Sequence, residues 1–150
     1  MKRVLFPLFA AIGFAVAVPA HAQFAKPEDA FKYRSAVMTL QAAHMGRINA
    51  QLRSDKPNFQ AIAENAAVLD TVNRLFFGAF PEGSDMVASS RAKPEIWSQA
   101  AKFKGYAEKL NVEVVRLNAA AKAGDLAAAR SAFGASGQAC KACHDDFRKD

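Results

Sequence analysis

An all-α fold, an antiparallel four-helix bundle, is the class this sequence predicts, and three observations predict it. Apolar residues recur at steps of three, four and seven along four long stretches, the spacing of one helix face. Proline, glycine and small polar residues punctuate the chain between those stretches. No segment alternates apolar and polar residues with period two, so no strand is expected.

A leader is expected before the first helix. Met1-Lys2-Arg3 is a short basic start, Val4 to Val18 is an apolar run, and Pro19-Ala20-His21-Ala22 ends in the small residues of a cleavage site. The cut is expected before Gln23, with residues 1–22 a secretory signal peptide and 23–150 the single mature domain. An uncut membrane anchor is the competing reading, but the run is short for a span of roughly 20 residues. Without Lys2 and Arg3 the 20 basic residues fall to 18 against 14 acidic ones. These charges are scattered, which argues against a nucleic-acid partner. No second apolar run approaches membrane length, so no membrane contact is expected after cleavage.

The first helix should open at Lys26-Pro27-Glu28-Asp29, with proline and acids placed as a helix start favours. Phe31, Met38, Met45 and Leu52 then recur every seven residues, with Val37 and Ile48 on the same side. The second should open near Pro57, carry Ile62, Leu69, Val72 and Phe76, and run out at Phe80-Pro81. Glu82 to Ala92 reads as a loop. The third should restart at Lys93-Pro94-Glu95 and run unbroken through Ile96, Phe103, Leu110, Val114 and Leu117 to Ala121. Gly124 suits its C-terminal cap, and Asp125 suits the N-cap of the fourth helix. That last helix carries Leu126, Ala129, Phe133, Cys140, Cys143, His144 and Phe147. Its Gly134 and Gly137 lower helix propensity and are expected to let a flat group approach the backbone.

The only two cysteines belong to Cys140-Lys141-Ala142-Cys143-His144. A disulfide across so small a loop would staple little. A redox pair would want a βαβ setting, which is missing, and zinc would need a fourth ligand such as His44. Cys-x-x-Cys-His is instead the attachment signature of c-type haem. Two thiols three apart fall on one side of a helix and can reach both vinyl groups of one haem edge. The adjacent imidazole then supplies an axial bond to the iron, at the high effective concentration of a tethered ligand. One motif implies one covalent haem, linked through Cys140 and Cys143, with His144 as the metal ligand.

With that pentapeptide closing a four-helix pattern, the sequence resembles cytochrome c′, a class II c-type cytochrome. The resemblance is carried by Gln23–Met38, Lys93–Trp97, Ser131–Gly134 and Cys140–Asp150. It implies a periplasmic, usually dimeric bundle with a five-coordinate, high-spin haem that binds nitric oxide and carbon monoxide. It also implies that an apolar side chain of the first helix, here Met38, closes the face opposite His144. Two haem readings of Met38 stay open, a lid that does not bond the iron and a sulfur ligand, beside a core residue remote from the haem. The resemblance and its charge suggest Arg34 as a partner of a haem propionate, with a surface arginine as the alternative. Arg148, one turn after His144, is implied to stand beside the proximal pocket, or else is a solvated terminal arginine. Phe80 and Trp97 are taken as pocket walls, Met45 as core, and His44 as facing out.

Around Met38 the stripe offers Val37, Leu40 and Gln41 rather than an acid–base pair. An apolar pocket without a hydrogen bond to its guest is expected, and with it a binding or electron-transfer protein rather than an enzyme. Three functions compete: a high-spin gas-binding cytochrome, a low-spin His144/Met38 electron carrier, and a haem enzyme such as a peroxidase or nitric oxide reductase. A homodimer is expected, with weak support from Val37, Leu40 and Val68, and an unidentified redox partner is implied.

Overall fold

The structure, a computed structural model, describes residues 24–150. The signal peptide read over 1–22 lies outside the described residues. The elements are α1 (Pro27–Leu52), α2 (Phe59–Phe76), a 3₁₀ turn (Phe77–Ala79), the short α3 (Glu95–Ser98), α4 (Ala100–Lys122) and α5 (Leu126–Phe147). Among the described residues there is no strand beyond an isolated antiparallel bridge between Ala92 and Arg148. α1 packs on α2, α2 on α4 and α4 on α5, with a sparser contact closing α1 to α5. That order of neighbours is an up-and-down four-helix bundle. Among the described residues no helix is long and apolar enough to cross a membrane.

Each helix starts and stops where local chemistry directs it. Pro27 opens α1, with Glu28 and Asp29 near the positive end of its dipole. Asn58 caps α2 by accepting from the Ala61 amide at 3.0 Å, and Asp125 caps α5 by accepting from the Ala128 amide at 2.9 Å. α4 ends at Gly124, whose φ of 70° is left-handed. There the Gly124 amide donates to Ala121 O and the Asp125 amide to Ala120 O, a Schellman closure.

The third helix is not continuous. Gln99, at φ −120° and ψ 40°, breaks it into α3 and α4. The Gln99 amide still reaches back to Glu95 O at 2.8 Å, while its carbonyl accepts the Phe103 amide that starts α4. Both pieces therefore keep their hydrogen bonds, and the unbroken apolar period gave no sign of the bend between them.

The core runs the length of the bundle through Ile48, Ile62, Leu69, Val114 and Leu117, all nearly or fully buried. At one end it becomes aromatic. The Phe103 ring lies 5.8 Å from Phe76, 5.0 Å from Phe80 and 5.2 Å from Phe147. Val37, expected to help form a dimer face, is buried in this core, whereas Leu40 and Val68 stay exposed.

Candidate functional site

At the aromatic end a cavity of about 550 Å³ opens between α1, α2, α4 and α5. From α5 it is lined by Cys140, Cys143 and His144, and from α1 by Phe31, Arg34, Met38 and Gln41. Phe76, Phe80, Phe103 and Phe147 supply apolar wall, and Asn73, Tyr106 and Asn111 add polar groups. Among the described residues three arginines line it, Arg34, Arg91 and Arg148, and no carboxylate does.

The motif residues converge because they share a face of one helix. Three- and four-residue steps put Cys140, Cys143 and His144 on neighbouring turns, and Ala139 and Phe147 anchor that helix in the core. Both cysteines are free. Burial raises both thiol pKa values, that of Cys143 to about 11, helped by Cys140 and Asp146. The thiols are therefore protonated at neutral pH and uncharged in their apolar setting. The His144 pKa is pushed down by burial first, then by the charges of Arg148 and Arg91. Its imidazole is held in the neutral form, which can give a lone pair to a metal.

Arg34 is buried, and its guanidinium is committed to the chain itself. Nη2 donates to Ser84 O at 2.5 Å and to Ser90 Oγ at 2.7 Å, and Nη1 to Ala79 O at 3.4 Å. The same group lies 5.3 Å from the ring centres of both Phe31 and Phe80. It ties α1 to the loop that covers the cavity, so a surface arginine is ruled out. Arg148 reaches the cavity in a different way from the one expected. α5 ends at Phe147, and Arg148 is extended (φ −116°, ψ 131°), with its amide donating to His144 O at 3.0 Å. The Lys93 amide donates to Phe147 O at 3.0 Å and the Lys149 amide to Arg91 O at 2.7 Å. That short pairing brings Arg91 and Arg148 to one rim.

Other placements differ from expectation. Trp97, taken as a wall, does not line the cavity. Its neighbour Ile96 turns inward, and the Trp97 indole N–H donates to Phe80 O at 3.1 Å, fixing the backbone of the wall from behind. Gly134 and Gly137 are exposed and outside the cavity lining, with nothing within 4 Å of an added Cβ at either. They are not where a flat group meets the helix. His44 does not face freely outward, because its Nδ1 is 2.7 Å from Asn65 Oδ1 across α1 and α2. Met45 packs against the core and does not line the cavity.

The pocket is also less apolar than expected. Asn73, Tyr106 and Asn111 add polar groups to it, and the sequence carries a signal for the two asparagines. Asn73 sits between Leu69 and Phe76 on the α2 stripe, and Asn111 follows Ala107 by one turn on α4. A polar side chain at a core position of an amphipathic pattern marks such a site. Arg91 had no signal, because only the chain pairing at 91–93 and 147–149 delivers it.

The residues fit a covalently bound haem. Two free thiols and a neutral imidazole share one wall, the cavity is walled by aromatic rings, and Arg91 and Arg148 in its lining suit anionic edge groups. Buried amide atoms at Asn73 Nδ2 and Asn111 Oδ1 have no partner among the described residues, as expected of a wall built around a guest.

Comparison with known proteins agrees with this geometry. A family model described as Cytochrome C' matches residues 29–148. The chain is 47% identical over 128 residues to a cytochrome c′ of Alcaligenes xylosoxydans xylosoxydans, covering 85% of this chain and 98% of that protein. It is similar to the crystal structure of cytochrome c′ from Rubrivivax gelatinosus, with TM-score 0.78 and 43% identity, covering 85% of this chain and all of the other. A nitric oxide complex of a cytochrome c′ mutant from Alcaligenes xylosoxidans is similar at TM-score 0.78 and 45% identity, over 85% of this chain and 99% of that one.

Proposed function

Because the chain belongs to the cytochrome c′ family, whose members are c-type haem proteins, we propose that it is a periplasmic, high-spin monohaem cytochrome. In this reading His144 is the only protein ligand to the iron, and the protein binds nitric oxide and carbon monoxide or passes single electrons. The observation that carries this reading is one cavity, lined by His144 and both cysteines from α5 and by Met38 from α1. The bound relative with nitric oxide supports it by similarity.

A haem held there would supply an iron able to take a small gas or to exchange an electron. The chain's own residues do the rest. Cys140 and Cys143 would hold the group by thioether bonds, keeping His144 beside it at high effective concentration. His144 stays neutral because burial and the nearby Arg148 and Arg91 disfavour an imidazolium. Met38, flexible and unbranched, fills the opposite side without a rigid shape and can swing aside for a diatomic molecule. Phe76, Phe80 and Phe103 exclude water and larger guests. Among the described residues no carboxylate lines the cavity to serve as an acid or base for peroxide chemistry, which favours binding over an enzyme.

A low-spin His144/Met38 electron carrier is the second reading, favoured by the same position of Met38 in the cavity wall. The visible spectrum of the reduced protein decides between them. A broad unsplit Soret band with a carbon monoxide adduct is expected; sharp α and β bands without an adduct would overturn the high-spin reading.

A further inference from the structure

We infer that Asn73 donates a hydrogen bond to small ligands taken up on the Met38 side of the cavity, so that the pocket distinguishes polar diatomic guests from apolar ones. This rests on the gas-binding reading proposed above. Asn73 projects from a core position of α2 and is 3% exposed. A buried amide is costly unless its hydrogen bonds are made. Half of that requirement is met inside the protein, since Asn73 Oδ1 accepts from Gln41 Nε2 at 2.5 Å. The other half is not, because Asn73 Nδ2 is buried with no partner among the described residues.

The position of this orphan donor makes it functional rather than incidental. Gln41 follows Met38 by one turn on the same face of α1, so the Gln41–Asn73 pair bridges α1 and α2 beside the Met38 thioether. All three residues line one cavity. With Gln41 donating, Asn73 is turned so that only N–H groups remain to be satisfied. No described side chain or carbonyl takes the Nδ2 hydrogens, and Asn73 lines the cavity, so a guest there is placed to accept them. Asn111 Oδ1, on α4, lines the same cavity and is also unpartnered, yet the two asparagines do not satisfy each other. The guest that suits Asn73 carries a lone pair on its outer atom, as the oxygen of nitric oxide or carbon monoxide does. An N–H dipole there lowers the stretching frequency of such a ligand and slows its release.

The test is infrared spectroscopy of the carbon monoxide and nitric oxide adducts of the haem-loaded native protein and of Asn73→Leu, which keeps the volume and removes the donor. In the variant the C–O stretch is expected to rise and nitric oxide release to quicken about fivefold, the effect of one net hydrogen bond. Unchanged frequencies and release in a variant that still forms both adducts would overturn the role of Asn73 and leave gas binding standing. A native protein that forms no adduct and shows sharp split bands would overturn both. Should the variant not fold, the native nitric oxide adduct transferred to D₂O answers the question: a shift of the N–O stretch supports the bond, and no shift removes it.

Discussion

At Met38 the chain sets a long, unbranched thioether in the wall of the cavity that His144 also lines. Shortening it to a methyl removes the lid and leaves His144 untouched. Met38→Ala is therefore expected to speed carbon monoxide binding in stopped-flow measurements, and an unchanged on-rate would take Met38 off the distal face. The opposite wall is braced by Tyr106, whose hydroxyl donates to Asp146 Oδ2 at 2.7 Å, with Lys102 2.9 Å from the same carboxylate. The Tyr106 phenol is raised above its usual 10.0, first by that hydrogen bond and then by burial. A raised pKa means its contribution to stability is complete below pH 10.0 and is lost as pH climbs through the folded value. Asp146→Ala should let the phenol ionise at lower pH, seen as a component of the phenolate absorbance that is missing when Tyr106→Phe is added to it. Residues of this kind divide sharply in how legible they are. Cys140, Cys143 and His144 announce themselves, because attachment chemistry fixes their spacing within one helix. Asn73 and Arg91 do not, because their partners are far away in the chain.

At the scale of elements, the helices are set by local signals and the loop 80–94 is set by distant ones. Gly124 and Asp125 act within a few residues of themselves, which is why those caps could be read from the sequence. The loop has little apolar pattern of its own. It is held from α1 by Arg34 through Ser84 and Ser90, from α3 by Trp97 through Phe80, and from the C-terminus by the pairing of 91–93 with 147–149. Arg34→Gln removes a charged, buried donor and is expected to cost about 2 kcal/mol in denaturant unfolding, together with faster proteolysis between Glu82 and Arg91. A full loss of stability with no change in loop cleavage would place Arg34 in the core rather than in this clasp. The bend at Gln99 belongs to the same class of hidden feature, since the apolar period passes through it without a break.

At the scale of the whole molecule, the bundle buries one face of each helix and leaves Leu40 and Val68 exposed on α1 and α2. We propose that these residues contribute to a homodimer. Sedimentation at micromolar protein is expected to give the mass of two chains, falling towards one in a Leu40→Glu, Val68→Glu double variant; a monomeric native protein would end that proposal. Val37 plays no part in such a face, being 4% exposed within its own subunit. By itself the sequence determined the four helical stretches, the caps at Gly124 and Asp125, the all-α class and the chemistry of the closing motif, because each depends on patterns local in the chain. The tertiary structure alone decided that Met38, Arg91, Asn73 and Arg148 share a cavity with His144, that Trp97 stands outside it, and that Arg34 anchors a loop. Those outcomes depend on how four helices and one loop pack together, and contacts across long sequence separations leave no periodic trace in the chain.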